Sequence, residues 1–194
     1  MPKAPTDSVP QTDSNGPADA VDLQTLVRLF YNDSPEDLAS FESVAAKSMP
    51  QEYRQLLDHH SHMTITVESF YGSSVDVTVF RTATDRQWYG REISLVSQDS
   101  GKTVQYGIVR LRPKLLQSDV WQEIEAGRTP LGQVLIRHNV FRQVELVALW
   151  KVVAGPALAK RLEVEPDAIT YGRTARIFCD GEPAIELLEI VAPV

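Results

Sequence analysis

Two β-rich runs, Thr170 to Cys179 and Ala184 to Val191, meet at Asp180-Gly181, and that junction most narrows what this chain can fold into. Asp-Gly accepts the positive φ angles of a tight two-residue turn, so the two runs are predicted to pair antiparallel. A second hairpin is predicted upstream, where Arg86 to Val96 and Thr103 to Arg112 flank Asp99-Ser100-Gly101-Lys102. A third is predicted from the β-branched, alternating segments Thr64 to Phe70 and Val75 to Arg81, separated by Tyr71-Gly72-Ser73-Ser74. Phe141 to Val152 adds a further strand. Hairpin-linked strands, with helices gathered before and between them, define an antiparallel α+β fold. The alternating βα pattern of a parallel sheet is absent.

Apolar spacing places the helices. Leu23, Leu26, Val27 and Phe30 repeat at helical intervals. Ser34-Pro35-Glu36-Asp37 is a helix start with proline at the first position and acids in the first turn, and predicts a helix carrying Leu38, Phe41 and Val44. A third helix is predicted from Pro50 to about Asp58, burying Tyr53, Leu56 and Leu57. Ser118 to Ala126, Pro130 to His138 and the short segment Pro156 to Leu162 complete the set. Residues 1–19, rich in Pro, Ser, Asp and Ala, read as a disordered tail with too little apolar surface to offset ordering. The expected organisation is one domain over 20–194, with N-terminal helices to about residue 60 and sheet and further helices over 61–194.

The chain has 194 residues and a formal net charge of −7, which argues against a general nucleic-acid binder. Its one cysteine, Cys179, excludes an internal disulfide and reads as a core residue in a reducing, cytoplasmic setting. No stretch is long and apolar enough to span a membrane, and the N-terminus has no apolar signal region. Gly-rich phosphate loops, a GxSxG elbow and paired CxxC motifs are absent.

Several residues could carry chemistry. In Gly127-Arg128-Thr129-Pro130-Leu131-Gly132, Thr129 is predicted to cap a helix whose first position is Pro130. The amides of Leu131 and Gly132 would then be free to meet a carboxylate or phosphate. Arg91 sits inside the strand Trp88 to Leu95, where it needs a partner. Spacing alone favours an internal salt bridge, and bidentate capture of a ligand carboxylate is the functional reading. Glu189, between Leu188 and Ile190, is either paired with an arginine or pushed toward its neutral form by desolvation. Arg173 and Arg176 fall on opposite faces of one strand, so at most one can serve a buried site. His59, His60 and His62 invite a metal, but a solvated helix end is the favoured reading.

Three segments together resemble the chorismate lyase (chorismate–pyruvate lyase) family. They are Gly127 to Gly132; Tyr171-Gly172-Arg173 through Arg176 with Gly181-Glu182-Pro183 and Glu189-Ile190-Val191-Ala192-Pro193; and Trp88 to Leu95 with its Arg-Glu-Ile core. His62-Met63-Thr64, leading through Glu68 and Gly72 into Val75 to Thr78, is similar to that family's Met-Thr segment. The likeness covers about Leu56 to Pro193. It implies a six-stranded antiparallel sheet flanked by helices, with the ligand enclosed beneath helical flaps. It also implies elimination of pyruvate from chorismate to leave 4-hydroxybenzoate, a precursor for ubiquinone biosynthesis. The family's ligand contacts fall on Arg91, Glu189 and the main chain at Met63 and Leu131. Arg91 would clamp a carboxylate, and Glu189 would donate a proton to the ether oxygen or hold the ring hydroxyl. No metal or organic cofactor, no nucleic acid and no membrane insertion are expected, and a monomer is. The chain departs from better-known members in its long polar tail, its longer loop before Thr170 and much of Thr103 to Arg112.

The rival expectation is a non-catalytic binding module for an aromatic acid, like the effector domain of GntR-type repressors, which shares this fold. Those proteins carry a winged helix ahead of that domain. Here about forty residues of helix, with no basic recognition helix, precede the predicted first strand, which favours the enzyme. A third possibility is a catalytically dead homologue that scaffolds partners through its N-terminal helices.

Overall fold

The structure is a computed structural model and describes residues 21–194; the predicted tail at 1–19 lies outside the described residues. Its elements in chain order are α1 (Leu23–Arg28), α2 (Pro35–Leu38), β1 (Ala39–Val44), α3 (Gln51–Leu57), α4 (Met63–Tyr71), β2 (Val75–Thr84), β3 (Tyr89–Ser97) and β4 (Thr103–Leu111). There follow α5 (Ser118–Glu125), α6 (Leu131–Arg137), β5 (Arg142–Ala154), α7 (Pro156–Leu162), β6 (Ile169–Cys179) and β7 (Glu182–Val191). The seven strands form one antiparallel sheet in the order β1-β5-β6-β7-β4-β3-β2. The predicted α+β class and the hairpins at Asp180-Gly181 and Asp99 to Lys102 are therefore present.

Two predicted elements change type, and the strand number rises from six to seven. The helix expected to run from Pro35 through Val44 is a single turn that stops at Leu38, and Ala39–Val44 becomes β1. The cause is tertiary. β5 offers a thirteen-residue edge, and β1 pairs with it from Ala39 opposite Ala154 to Val44 opposite Leu149. Phe41 then packs edge-on against Trp150, 6.4 Å between ring centroids. Gly155 makes the corner possible, because a Cβ there would collide with the Glu36 carbonyl.

The segment Thr64 to Phe70, predicted as a strand, is helix α4. Its β-branched composition favours a strand, but Met63, Thr64 and Val67 bury one helical face while Ile65 and Phe70 stay exposed. The stop signal is Gly72, left-handed at φ 64°, which closes the helix as Ser73 N–H donates to the Glu68 carbonyl at 3.2 Å.

Strand alternation divides the sheet into two faces. On one, Tyr106, Ile108, Leu188 and Ile190 meet α1 and α7. On the other, Ile93, Leu95, Val109 and Leu187 meet α3, α4, α5 and α6. The first face encloses a satisfied polar cluster around Glu92, which is fully buried. Tyr31 and Tyr106 hydroxyls donate to its Oε1 at 2.7 and 3.1 Å, and Arg81 Nε donates to Oε2 at 2.5 Å. Tyr31 lies just beyond α1, so this cluster ties the N-terminal helix to the sheet. Tyr31→Phe removes one of those donors to a buried carboxylate without creating a void, and is expected to cost about 1.5–3 kcal/mol in urea unfolding.

Candidate functional site

The helix-covered face carries a partly covered cavity of about 30 Å³ between the sheet and α4 and α6. Its floor is the inward-pointing rows of five neighbouring strands. Arg91, Ile93 and Leu95 come from β3, and Gln105, Gly107 and Val109 from β4. Leu187 and Glu189 come from β7, Arg173 and Ile177 from β6, and Val144 from β5. The roof is His62, Met63 and Thr64 at the start of α4, with Leu131 and Gly132 at the start of α6. Arg91, Glu189, Met63 and Leu131, separated by up to 126 positions in sequence, thus line one space.

Arg91 is 1% exposed. The internal salt bridge that spacing favours is not formed: among the described residues no carboxylate pairs with it. Nη1 donates to the Ile124 carbonyl at 3.1 Å, in the last turn of α5, and Nε is buried without a partner. A helix C-terminus partly balances the charge. Burial pushes the guanidinium's pKa down, with only the nearby Tyr89 acting the other way.

Glu189 takes the paired alternative. It sits directly opposite Arg173 in the β6–β7 register, and Arg173 Nε donates to its Oε2 at 2.7 Å. The rest of the Arg173 guanidinium holds the turn after α3: Nη1 donates to the His59 carbonyl at 2.9 Å and Nη2 to the Ser61 carbonyl at 3.1 Å. A carboxylate held this way is a hydrogen-bond acceptor, which departs from the proton donor expected of an unpaired Glu189. Arg176, on the other face, lies 3.7 Å from Glu145, so one arginine of the pair serves the cavity.

The histidines are not a simple solvated helix end. His60 is exposed, whereas His59 accepts the Ser61 N–H at 3.0 Å and approaches Arg173 at 3.3 Å. His62 lines the cavity, and its Nε2 accepts from Arg142 Nε at 2.6 Å. Burial first, then the charges of Arg142 and Arg173, lower the His62 pKa to about 4. Among the described residues no group of three or more His, Cys, Asp or Glu side chains is placed to hold a metal ion. Cys179 is a core residue, its thiol pushed up to about 11 by burial.

The helix start at 129–132 is shifted by one residue. Pro130 occupies the cap position, and no side chain caps the helix. Leu131 is the first helical residue and reaches the cavity. Gly132 lets the two roof helices touch, since a Cβ there would come within 3.0 Å of Thr64 Oγ1 and 3.2 Å of His62 Cβ. Gln105, Gly107, His62 and Thr64 were not singled out by sequence reasoning as cavity residues. For Gln105 and Gly107 the usable signal is alternation: they share the inward row of β4 with Val109.

No protein-family profile and no curated protein matches the sequence. Solved structures with a similar fold include the effector domain of PhnF from Mycobacterium smegmatis, at 9% identity over 68% of this chain and 88% of that one, TM-score 0.49. A protein described as a transcriptional regulator from Streptomyces coelicolor matches at 17% identity over 62% and 88%, TM-score 0.48. A ligand-binding domain assigned to a GntR-family regulator from Bordetella bronchiseptica matches at 12% over 60% and 85%, TM-score 0.46. A likeness at this level assigns no ligand. No helix among the described residues is long and apolar enough to cross a membrane.

Two predictions follow from the charges. Arg91→Met removes a buried cation that lacks an anion, so the variant should be at least as stable as the parent, with a melting temperature unchanged or higher by a few degrees. Arg173→Met instead strands Glu189 and should cost about 3–5 kcal/mol. Calorimetric melting of both variants beside the parent checks the contrast. The second concerns His62, whose folded-state pKa lies below its unfolded value. The unfolded chain then binds the extra proton as pH falls from about 6.5 towards about 4, and stability falls over that window. His62→Phe should flatten that part of a stability-versus-pH curve.

Proposed function

We propose that the chain captures a small carboxylated ligand in this cavity, and that its reaction is the conversion of chorismate to 4-hydroxybenzoate and pyruvate. The observation that carries the capture is Arg91. A guanidinium 1% exposed, with no paired carboxylate and an unpartnered Nε, is a cost to the fold that a ligand anion removes. The planar fork of arginine suits a carboxylate, and cover by α4 and α6 limits competition from water. What supports the finer reading is the resemblance to chorismate lyase together with the meeting of Arg91, Glu189, Met63 and Leu131 in one cavity.

The chemistry asks little of the protein. Elimination of pyruvate aromatises the ring, so the main tasks are to hold one conformer and to direct one proton. Arg91 would fix a carboxylate. Glu189, already held by Arg173, would accept from the ring hydroxyl and so orient the ring. The ether oxygen's proton would then come from within the substrate or from water, because the Arg173–Glu189 pair makes Glu189 an acceptor. Positioning would account for most of the rate, since effective concentrations of aligned groups are worth about 7–11 kcal/mol.

That same ion pair favours a second reading, a binding domain for an aromatic acid with no turnover. Pyruvate release from chorismate, measured beside calorimetric binding of 4-hydroxybenzoate, separates the two. A lyase should release both products and lose most turnover in Arg91→Ala while remaining folded, and Arg91→Lys should rescue poorly. Glu189→Gln, which keeps the shape but weakens the hold on the hydroxyl, should lose turnover in step with affinity. A binding domain should bind the aromatic acid and release no pyruvate. Protein that neither binds nor turns over defeats both readings.

A further inference from the structure

We infer that two histidines in opposite protonation states hold down the roof of the cavity, a neutral His62 before α4 and a charged His138 at the end of α6. The roof then opens least, and releases a ligand most slowly, in a pH window with a limb on each side. The inference rests on the reading of the cavity as a carboxylate site and names how that site is regulated.

The hydrogen-bond partners fix both states. Arg142 Nε only donates, and it lies 2.6 Å from His62 Nε2, so that nitrogen carries no proton. His62 precedes α4, whose first residues roof the cavity, and Arg142 begins β5, so the contact pins this part of the roof to the sheet. His138 has the reverse surroundings. Its Nδ1 lies 3.2 Å from Asp119 and its Nε2 2.7 Å from Glu123. Ionised carboxylates only accept, so both ring nitrogens carry protons. His138 closes α6, while Asp119 and Glu123 belong to α5. Helix α5 is fixed by the buried Val120 and Ile124, and its Ile124 carbonyl accepts from Arg91. The second roof helix is thus pinned to one that the sheet holds.

The charged groups around each ring agree with its state. His62 faces two cations, Arg142 from β5 and Arg173 from β6, and burial and these charges lower its pKa to about 4. His138 faces Asp119 and Glu123 from α5, and Arg137, beside it on α6, is itself engaged by Glu123. The Glu123 hydrogen bond raises the His138 pKa more than burial lowers it, and Asp119 adds to the rise. Two further histidines lie in the turn before α4. His59 is also neutral by its partners, donating to the Leu56 carbonyl and accepting the Ser61 N–H within that turn. His60 donates to the Val144 carbonyl whether neutral or charged, a tie without pH dependence. A proton added to His62 removes the acceptor for Arg142 and sets cation against cation, so the roof loosens as pH falls towards about 4. A proton lost from His138 leaves one carboxylate facing a bare ring nitrogen, so the roof loosens again as pH rises through the raised pKa.

The test is amide hydrogen exchange of the full, empty chain from pH 5.5 to 8.5, read over α4 and α6 and corrected for the intrinsic pH dependence of exchange. Stopped-flow release of 4-hydroxybenzoate is measured over the same range. Roof opening and release should rise about tenfold from pH 7.5 to 5.5. They should rise about two- to fivefold towards pH 8.5, as suits a partly exposed ion pair. His62→Gln keeps an acceptor for Arg142 but does not titrate, so it should lose the acidic limb and keep the alkaline one. His138→Arg keeps the charge and the donors, so it should lose the alkaline limb alone, whereas His138→Asn should show faster opening already at neutral pH. A packing role for either histidine would change the rates at every pH and leave both limbs in place. Opening that does not vary with pH in wild type, or limbs of full size in His62→Gln and His138→Arg, overturn the inference. A chain that shows both limbs but does not bind the acid keeps the two latches and defeats the carboxylate reading instead.

Discussion

The ion pair between Arg173 and Glu189 organises the site-bearing half of the molecule. It joins β6 to β7 directly across the register, and the same guanidinium holds the carbonyls of His59 and Ser61. One buried side chain thus fixes the sheet's central rows and the turn that launches α4. Desolvating two charges is expensive, and an ion pair of this kind is weak support for stability by itself. Its consequence here is positional. With Arg173 engaged on three sides, Glu189 is compensated and Arg91 is left as the cavity's uncompensated cation.

Two neighbouring buried charges of β3 are treated in opposite ways. Glu92 and Arg91 are adjacent in sequence and, by alternation, point to opposite sides. Glu92 is saturated by Tyr31, Tyr106 and Arg81, and its cluster tethers helix to sheet. Arg91 and Gln105 keep open valences on the other side. A fold that can satisfy a buried carboxylate this fully has the means to satisfy a guanidinium too. The open groups of Arg91 and Gln105 share a helix-covered cavity, where a ligand would complete them, whereas those of Ser94, Arg112 and Arg176 lie outside it.

Much of this was legible in the sequence, because hairpin turns and alternation are local. Asp180-Gly181 and the Gly101 turn located two hairpins, and the inward position of Arg91 followed from the strand around it. What failed was decided by distant partners. Ala39–Val44 forms a strand because β5 has a free edge, and no local pattern reveals an edge. Met63–Tyr71 forms a helix despite β-branched residues because Met63, Thr64 and Val67 meet the sheet on one helical face. The choice between pairing and desolvation at Glu189 was open for the same reason, since the Arg173 register depends on where the hairpin closes. Gln105 went unnoticed because a polar residue in a strand ordinarily faces water, and only the stacking of helices shows that this one does not.

The cavity's size sets the last condition on function. About 30 Å³ holds a water or two, whereas small-molecule sites measure several hundred. A ring with a carboxylate can enter only if a wall moves. The sheet cannot yield, since its rows are locked by ladders on both sides and by the Arg173–Glu189 pair. The roof can: α4 and α6 are short, and they meet where Gly132 lies against Thr64 and His62. The His62–Arg142 hydrogen bond crosses from that roof to β5 and holds it down while the imidazole is neutral. If the roof lifted, water would reach Arg91 and offset its desolvation; a bound anion would offset it in the covered state, to the extent that its geometry allows. The buried cation would then disfavour a covered, empty cavity and favour one that holds an anion.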